Sequence, residues 1–77
     1  MYELVDYLVS QLIDKEKYEL VVIEDGDNVD IKVLVDQDVI NEVIGKGGKV
    51  AKAIRTLVKS AGQKLDKNYN VFVEERQ

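Results

Sequence analysis

A chain of 77 residues, 45% hydrophobic and 34% charged, has the composition of one small globular domain near the lower size limit for folding without staples. It contains no Cys, His or Pro, which excludes disulfides, thiol nucleophiles and the common zinc sites. The formal net charge of -4 hides an asymmetry: residues 1–42 carry twelve Asp or Glu against three Lys, while residues 43–65 carry six Lys or Arg and no acid.

In chain order, the opening stretch MYELVDYLVSQLIDKEK is interrupted by Glu3, Asp6, Ser10 and Gln11. It is therefore neither a signal peptide nor a membrane span, and a cytoplasmic protein is expected. Leu4, Val5, Leu8, Leu12 and Ile13 recur at helical spacing opposite Glu3, Asp6, Ser10 and Asp14, which predicts an amphipathic helix over 3–14. YELVVIE (18–24), rich in β-branched and aromatic residues, fits a largely buried strand. DGDN (25–28) is turn chemistry, with Gly26 free to take positive φ. VDIKVLV (29–35) alternates, with Val29, Ile31, Val33 and Val35 on one face, so 18–35 reads as an antiparallel hairpin.

The period then changes. Val39, Ile40, Val43 and Ile44 form the apolar face of a short helix that Asp36 or Asp38 can cap and Gly45 ends. KVAKAIRTLVKSAG (49–62) is a second helix, burying Val50, Ala53, Ile54, Leu57, Val58 and Ala61 and ending at Gly62. Lys49, Lys52, Arg55 or Thr56, and Lys59 line its other side. Residues 63–68 form a polar loop, and YNVFVEE (69–75) is the last strand.

Between the two helices stands Gly45-Lys46-Gly47-Gly48, where no ordinary loop fits. Three glycines beside one lysine imply that something approaches the main chain closely. The unpaired amides at the start of the second helix carry the positive end of its dipole and make a seat for phosphate. Lys46 and Lys49 add point charges, although a cation in the first turn opposes the dipole by about 0.3–1 kcal/mol. An arriving anion offsets that cost.

The spacing excludes two nucleotide loops: G-x-x-x-x-G-K-[ST] lacks its spacing and its Ser/Thr, and G-x-G-x-x-G lacks its third glycine and its preceding strand. Asp25, Asp27 and Asn28 resemble a calcium loop only faintly, without the further ligands one needs. No metal, no cofactor and no catalytic residue is expected: without His or Cys an active site would need paired carboxylates in a cleft, whereas the acids fall in turns and on helix surfaces.

Val43-Ile44-Gly45-Lys46-Gly47-Gly48-Lys49-Val50, with Ile54 following, resembles the signature of the K-homology (KH) domain, V-I-G-x-x-G-x-x-[IV]. With a helix and strand preceding the βααβ core, the arrangement resembles type II. The length and motif together resemble the small bacterial stand-alone KH RNA-binding proteins of the KhpA (YlqC) family. The resemblance implies an α+β fold of order α-β-β-α-α-β, a three-stranded sheet covered on one face by three helices. It implies a single domain over 1–77, with an N-terminal αβ extension (1–25) and a βααβ core (29–75).

It further implies single-stranded RNA binding, with Gly45, Lys46, Gly47 and Gly48 clamping the backbone of about four nucleotides. Lys49, Lys52 and Arg55 would meet sugar and phosphate. Ile40 and Ile44 would line the groove or serve the core, and the opposite wall would come from 29–35 or 69–74. Residues 63–68 would be the variable loop. Two departures stand out: Gly47 occupies a position that is often polar and loosens the loop, and no aromatic residue lies near the clamp. Modest affinity and low sequence specificity follow. The resemblance also implies a homodimer, a possible heteromer with a larger KH-containing protein, and a role as RNA chaperone or post-transcriptional regulator linked to cell shape and envelope growth. The other reading of the same residues is a KH-fold interaction module whose RNA contact depends on a partner.

Overall fold

The computed structural model describes residues 1–76. Among them, helix α1 (Tyr2–Ser10) leads through a single 3-10 turn (Lys15–Lys17) into strands β1 (Tyr18–Asp25) and β2 (Asn28–Asp36). Helix α2 (Ile40–Ile44), a tight turn (Lys46–Gly48), helix α3 (Lys49–Gln63) and strand β3 (Asn68–Arg76) follow. This is the α+β order, α-β-β-α-α-β, that the resemblance implies, with three helices packed over a three-stranded sheet.

The sheet order is β1-β2-β3. β1 and β2 pair antiparallel from Tyr18↔Val35 to Asp25↔Asn28, closed by a two-residue turn in which Gly26 takes φ +61°. β2 and β3 pair parallel from Asn28↔Asn68 to Asp36↔Arg76. The alternation of β2 is realised as expected: Val29, Ile31, Val33 and Val35 are buried beneath the helices. Register places Tyr69, Val71 and Val73 of β3 on the same face. α3 packs on β3, α1 on β1 and α3, and α2 on α3 and β3.

Helix α1 is shorter than its periodicity implies. It ends at Ser10, whose hydroxyl donates to the Tyr7 carbonyl (2.8 Å), and the amides of Leu12 and Ile13 both bond to Val9 O in a closing turn. Ile13 still reaches the core while Leu12 stays at the surface. The chain must reverse there to deliver Tyr18, which is buried and donates its hydroxyl to the Asp6 carboxylate at 2.7 Å. That bond holds the Asp6 carboxyl below its usual range, and burial raises the Tyr18 phenol.

Neither Asp36 nor Asp38 caps α2. Val39 occupies the N-cap without a side-chain bond. Asp36 accepts from Arg76 Nε at 2.8 Å, and Asp38 pairs with Lys17 at 3.0 Å, because both acids lie within reach of cations from other elements. Arg76 also donates to the Glu16 carbonyl (2.8 Å), so one guanidinium joins the ends of β2 and β3 to the turn before β1.

Helix α3 is rotated relative to the expected burial. Its core face is Ala51, Ile54, Val58 and Gly62, while Ala53 is exposed and Leu57 is 50% exposed. Gly62 does not end the helix, which continues to Gln63. Its missing side chain instead makes room for the Tyr69 ring, which a Cβ there would strike.

Two stability outcomes follow. Val58→Ala, emptying a fully buried site, should cost about 2 kcal/mol in urea unfolding, whereas Leu57→Ala should cost under about 1 kcal/mol. The Arg76 bond depresses the Asp36 pKa, so its contribution is complete above the ordinary aspartate value of 3.8 and is lost as pH falls through the lower folded value. Asp36→Asn should therefore flatten the fall of Tm between pH 5 and about pH 2, as differential scanning calorimetry at several pH values would show.

Candidate nucleic-acid interface

α2 closes with the Gly45 amide donating to the Asn41 carbonyl at 2.8 Å. The chain then turns within three residues, the Gly48 amide bonding to Gly45 O at 3.1 Å, and α3 begins at Lys49. Gly45 (φ +79°), Gly47 (φ +66°) and Gly48 (φ +79°) all lie at positive φ, leaving Lys46 as the one residue of the turn outside that region. A side chain in the left-handed conformation costs roughly 1–2 kcal/mol, so three glycines in four positions are a backbone requirement.

The three glycines differ in what surrounds them. A Cβ on Gly45 would collide with the Val50 side chain and stand 2.7 Å from the Val50 backbone nitrogen. Gly45 is thus bare for internal packing. Beside Gly47 and Gly48 there is open space within 4 Å. Gly47 occupies a defined left-handed position, which glycine adopts at no steric cost.

The N-cap of α3 is Gly48, and no side chain caps its first turn. Lys46, Lys49 and Lys52 are exposed around that end. Lys49, Lys52, Ala53, Thr56 and Leu57 line a shallow depression of about 500 Å³. Lys15, Lys17, Lys32 and Arg76 are each paired with an acid. Among the described residues, no cation between 43 and 65 forms an ion pair. The ion pairs engage Lys15, Lys17, Lys32 and Arg76 and leave this stretch unpaired.

Arg55 is placed differently from the lysines. Its Nε donates to the Val71 carbonyl at 3.1 Å, tying α3 to β3, which is an edge strand. Of the basic side chains singled out in the sequence, it already has a structural task. Val43 is fully buried, while Ile40 and Ile44 keep partial exposure, Ile40 also packing against the core. Val50 and Val73 share this half-buried state. β2 is the central strand with its inward side chains covered, and β3 lies at the sheet edge. The sequence reading places Val50 on the buried side of its helix and leaves Val73 within the open range 69–74; both are half-buried.

A family model described as KhpA/KhpB, KH domain matches residues 2–73. The chain is 37% identical over 76 residues to the RNA-binding protein KhpA of Listeria monocytogenes, a match covering 97% of this chain and 100% of the relative. It is 35% identical over 72 residues to RNA-binding protein KhpA of Borreliella burgdorferi, covering 92% of this chain and 88% of the relative. Identity reaches 39% over 75 residues with the protein of that name from Caldanaerobacter subterraneus, covering 96% and 97%.

The glycine geometry has a measurable consequence. Gly47→Ala meets no neighbour and should lose only the left-handed penalty, about 1–2 kcal/mol. Gly45→Ala adds overpacking against Val50 and should lose about 2–5 kcal/mol. Denaturant titrations of the two variants should separate accordingly; equal losses would contradict the packing role of Gly45.

Proposed function

The chain belongs to the KhpA/KhpB family of KH domains, and on that footing we propose that it binds single-stranded RNA, with the turn Gly45–Gly48 holding the sugar-phosphate backbone. The observation that carries this reading is the coincidence of two features at one place. The backbone beside Gly47 and Gly48 is open, and the unpaired cations Lys46, Lys49 and Lys52 surround the uncapped start of α3. Main-chain amides and the helix dipole favour a phosphate there, and the lysines supply the long-range attraction. Ile40, Ile44, Val50 and Val73 give the bases a partly apolar surface to lie against, and the terminal nitrogens of Arg55 extend the basic track along α3. The relatives carry the name RNA-binding protein, which supports the same partner.

In this reading the protein is a cytoplasmic RNA chaperone or post-transcriptional regulator without a catalytic step. One clamp of this kind holds few phosphates, and pairing with a second copy or with a larger KH-containing protein raises avidity. A second reading, a KH-fold interaction module, is favoured by one observation: Leu57 is 50% exposed beside Ala53, on the helix that carries the lysines.

The test is fluorescence anisotropy with short labelled RNAs. For three or four phosphates, log K against log salt should slope by about -2 to -3. Lys46→Asp with Gly47→Asp should abolish binding and leave the circular dichroism unchanged, aspartate being one of the residues that tolerates a left-handed position. Full affinity in that variant would put the RNA site elsewhere, a flat salt response would contradict the phosphate clamp, and no binding by wild type would move the function to the interaction-module reading.

A further inference from the structure

At the far end of α3 from the glycine turn lies a polar cavity of about 400 Å³. It forms where the β1–β2 turn, the last turns of α3 and the start of β3 meet. Its walls are fixed by the main chain: the Asn68 amide donates to the Asp27 carbonyl at 2.8 Å, and the Leu65 amide to Gly62 O at 2.9 Å. The Tyr69 ring lies against the bare Gly62 and forms one side.

The lining has an unusual chemistry for so acidic a protein. Four residues with side-chain amides, Asn28, Gln63, Asn68 and Asn70, line it together with Lys59 and Lys67. Among the described residues, no carboxylate lines the cavity. Asn70 is held by Asp30 at 3.1 Å, whereas Asn28, Gln63 and Asn68 are exposed. An amide offers a donor and an acceptor side by side, the pattern that pairs with the edge of a nucleobase. Lysines complement the phosphate attached to it, and the half-buried Tyr69 ring offers an apolar surface to the base.

Placement connects this cavity to the glycine turn. Lys49, Lys52, Thr56, Lys59 and Gln63 recur every three or four residues along one side of α3. From Lys49 to Lys59 the helix rises about 15 Å. A strand held at the turn and following that side would arrive at the amides.

We propose that this cavity is a nucleobase-reading subsite, in which Gln63 and Asn68, with Asn28, select the base of one nucleotide at the end of the bound strand remote from the glycine turn. The proposal rests on the RNA-binding reading and adds to it a source of sequence preference at one position, where the clamp alone is indifferent to base.

The experiment uses the full chain and a panel of labelled hexauridylates carrying a single adenine, guanine or cytosine at each position in turn. Wild type should discriminate at one position by tenfold or so, the scale of a good amide–base pair. Gln63→Ala with Asn68→Ala should erase that preference while keeping the salt slope. In wild type, the side-chain amide resonances of Gln63 and Asn68 should shift when the preferred hexamer is added. The proposal is overturned if wild type binds every hexamer equally, if the double variant keeps the preference, or if neither amide resonance moves. Lys46→Asp/Gly47→Asp is measured alongside. Unchanged affinity in that variant removes the clamp and leaves the cavity to be judged by the amide variant alone, while absence of binding by wild type removes both.

Discussion

The parallel pairing of β2 with β3 is the constraint from which the rest of the architecture follows. Two parallel neighbours cannot be joined by a hairpin, so the chain leaving Asp36 must return to the opposite end of the sheet before Asn68 can begin β3. α2, the glycine turn and α3 are that return path. The turn is therefore placed beside the end of β2, and the helix that follows runs back along the sheet to the polar cavity. Both ends of α3 acquire exposed, chemically distinct surroundings for the same topological reason.

That path also explains why the turn is built of glycine. α2 has five residues and ends against the start of α3, so the reversal must happen in three residues without a loop to absorb strain. Positive φ at Gly45, Gly47 and Gly48 achieves it, and the Val50 side chain fills the space that a Cβ on Gly45 would need. Packing holds one end of the turn, and the open side of Gly47 and Gly48 is what remains accessible to a ligand.

Electrostatics divides the molecule along the same line. The ion pairs gather around the N-terminal elements and the ends of β2 and β3, where Arg76 bonds to Asp36 and to the Glu16 carbonyl. Each such pair is worth little by itself at a solvated surface. Their collective effect is to neutralise the cations there and leave the lysines of α3 as the uncompensated positive field of an acidic protein.

Much of the fold could be read from residue patterns alone. The period-2 alternation of β2 and the DGDN turn specify the hairpin, and the glycine cluster with its apolar flanks and the following lysines specifies the helix–turn–helix and the positive charge beside it. These are local properties: backbone conformation, hydrophobic period and charge order depend on neighbours within a few residues. Four features were decided by tertiary contact. Tyr18 reaching Asp6 shortened α1, and the cations of Lys17 and Arg76 drew Asp38 and Asp36 away from capping α2. Tyr69 against Gly62 accompanied the rotation of α3 that left Leu57 outside, and Arg55 was taken up by the Val71 carbonyl on an edge strand. In each case the competing groups lie far apart in sequence, so their approach is a consequence of strand order and helix docking, which periodicity and spacing do not encode.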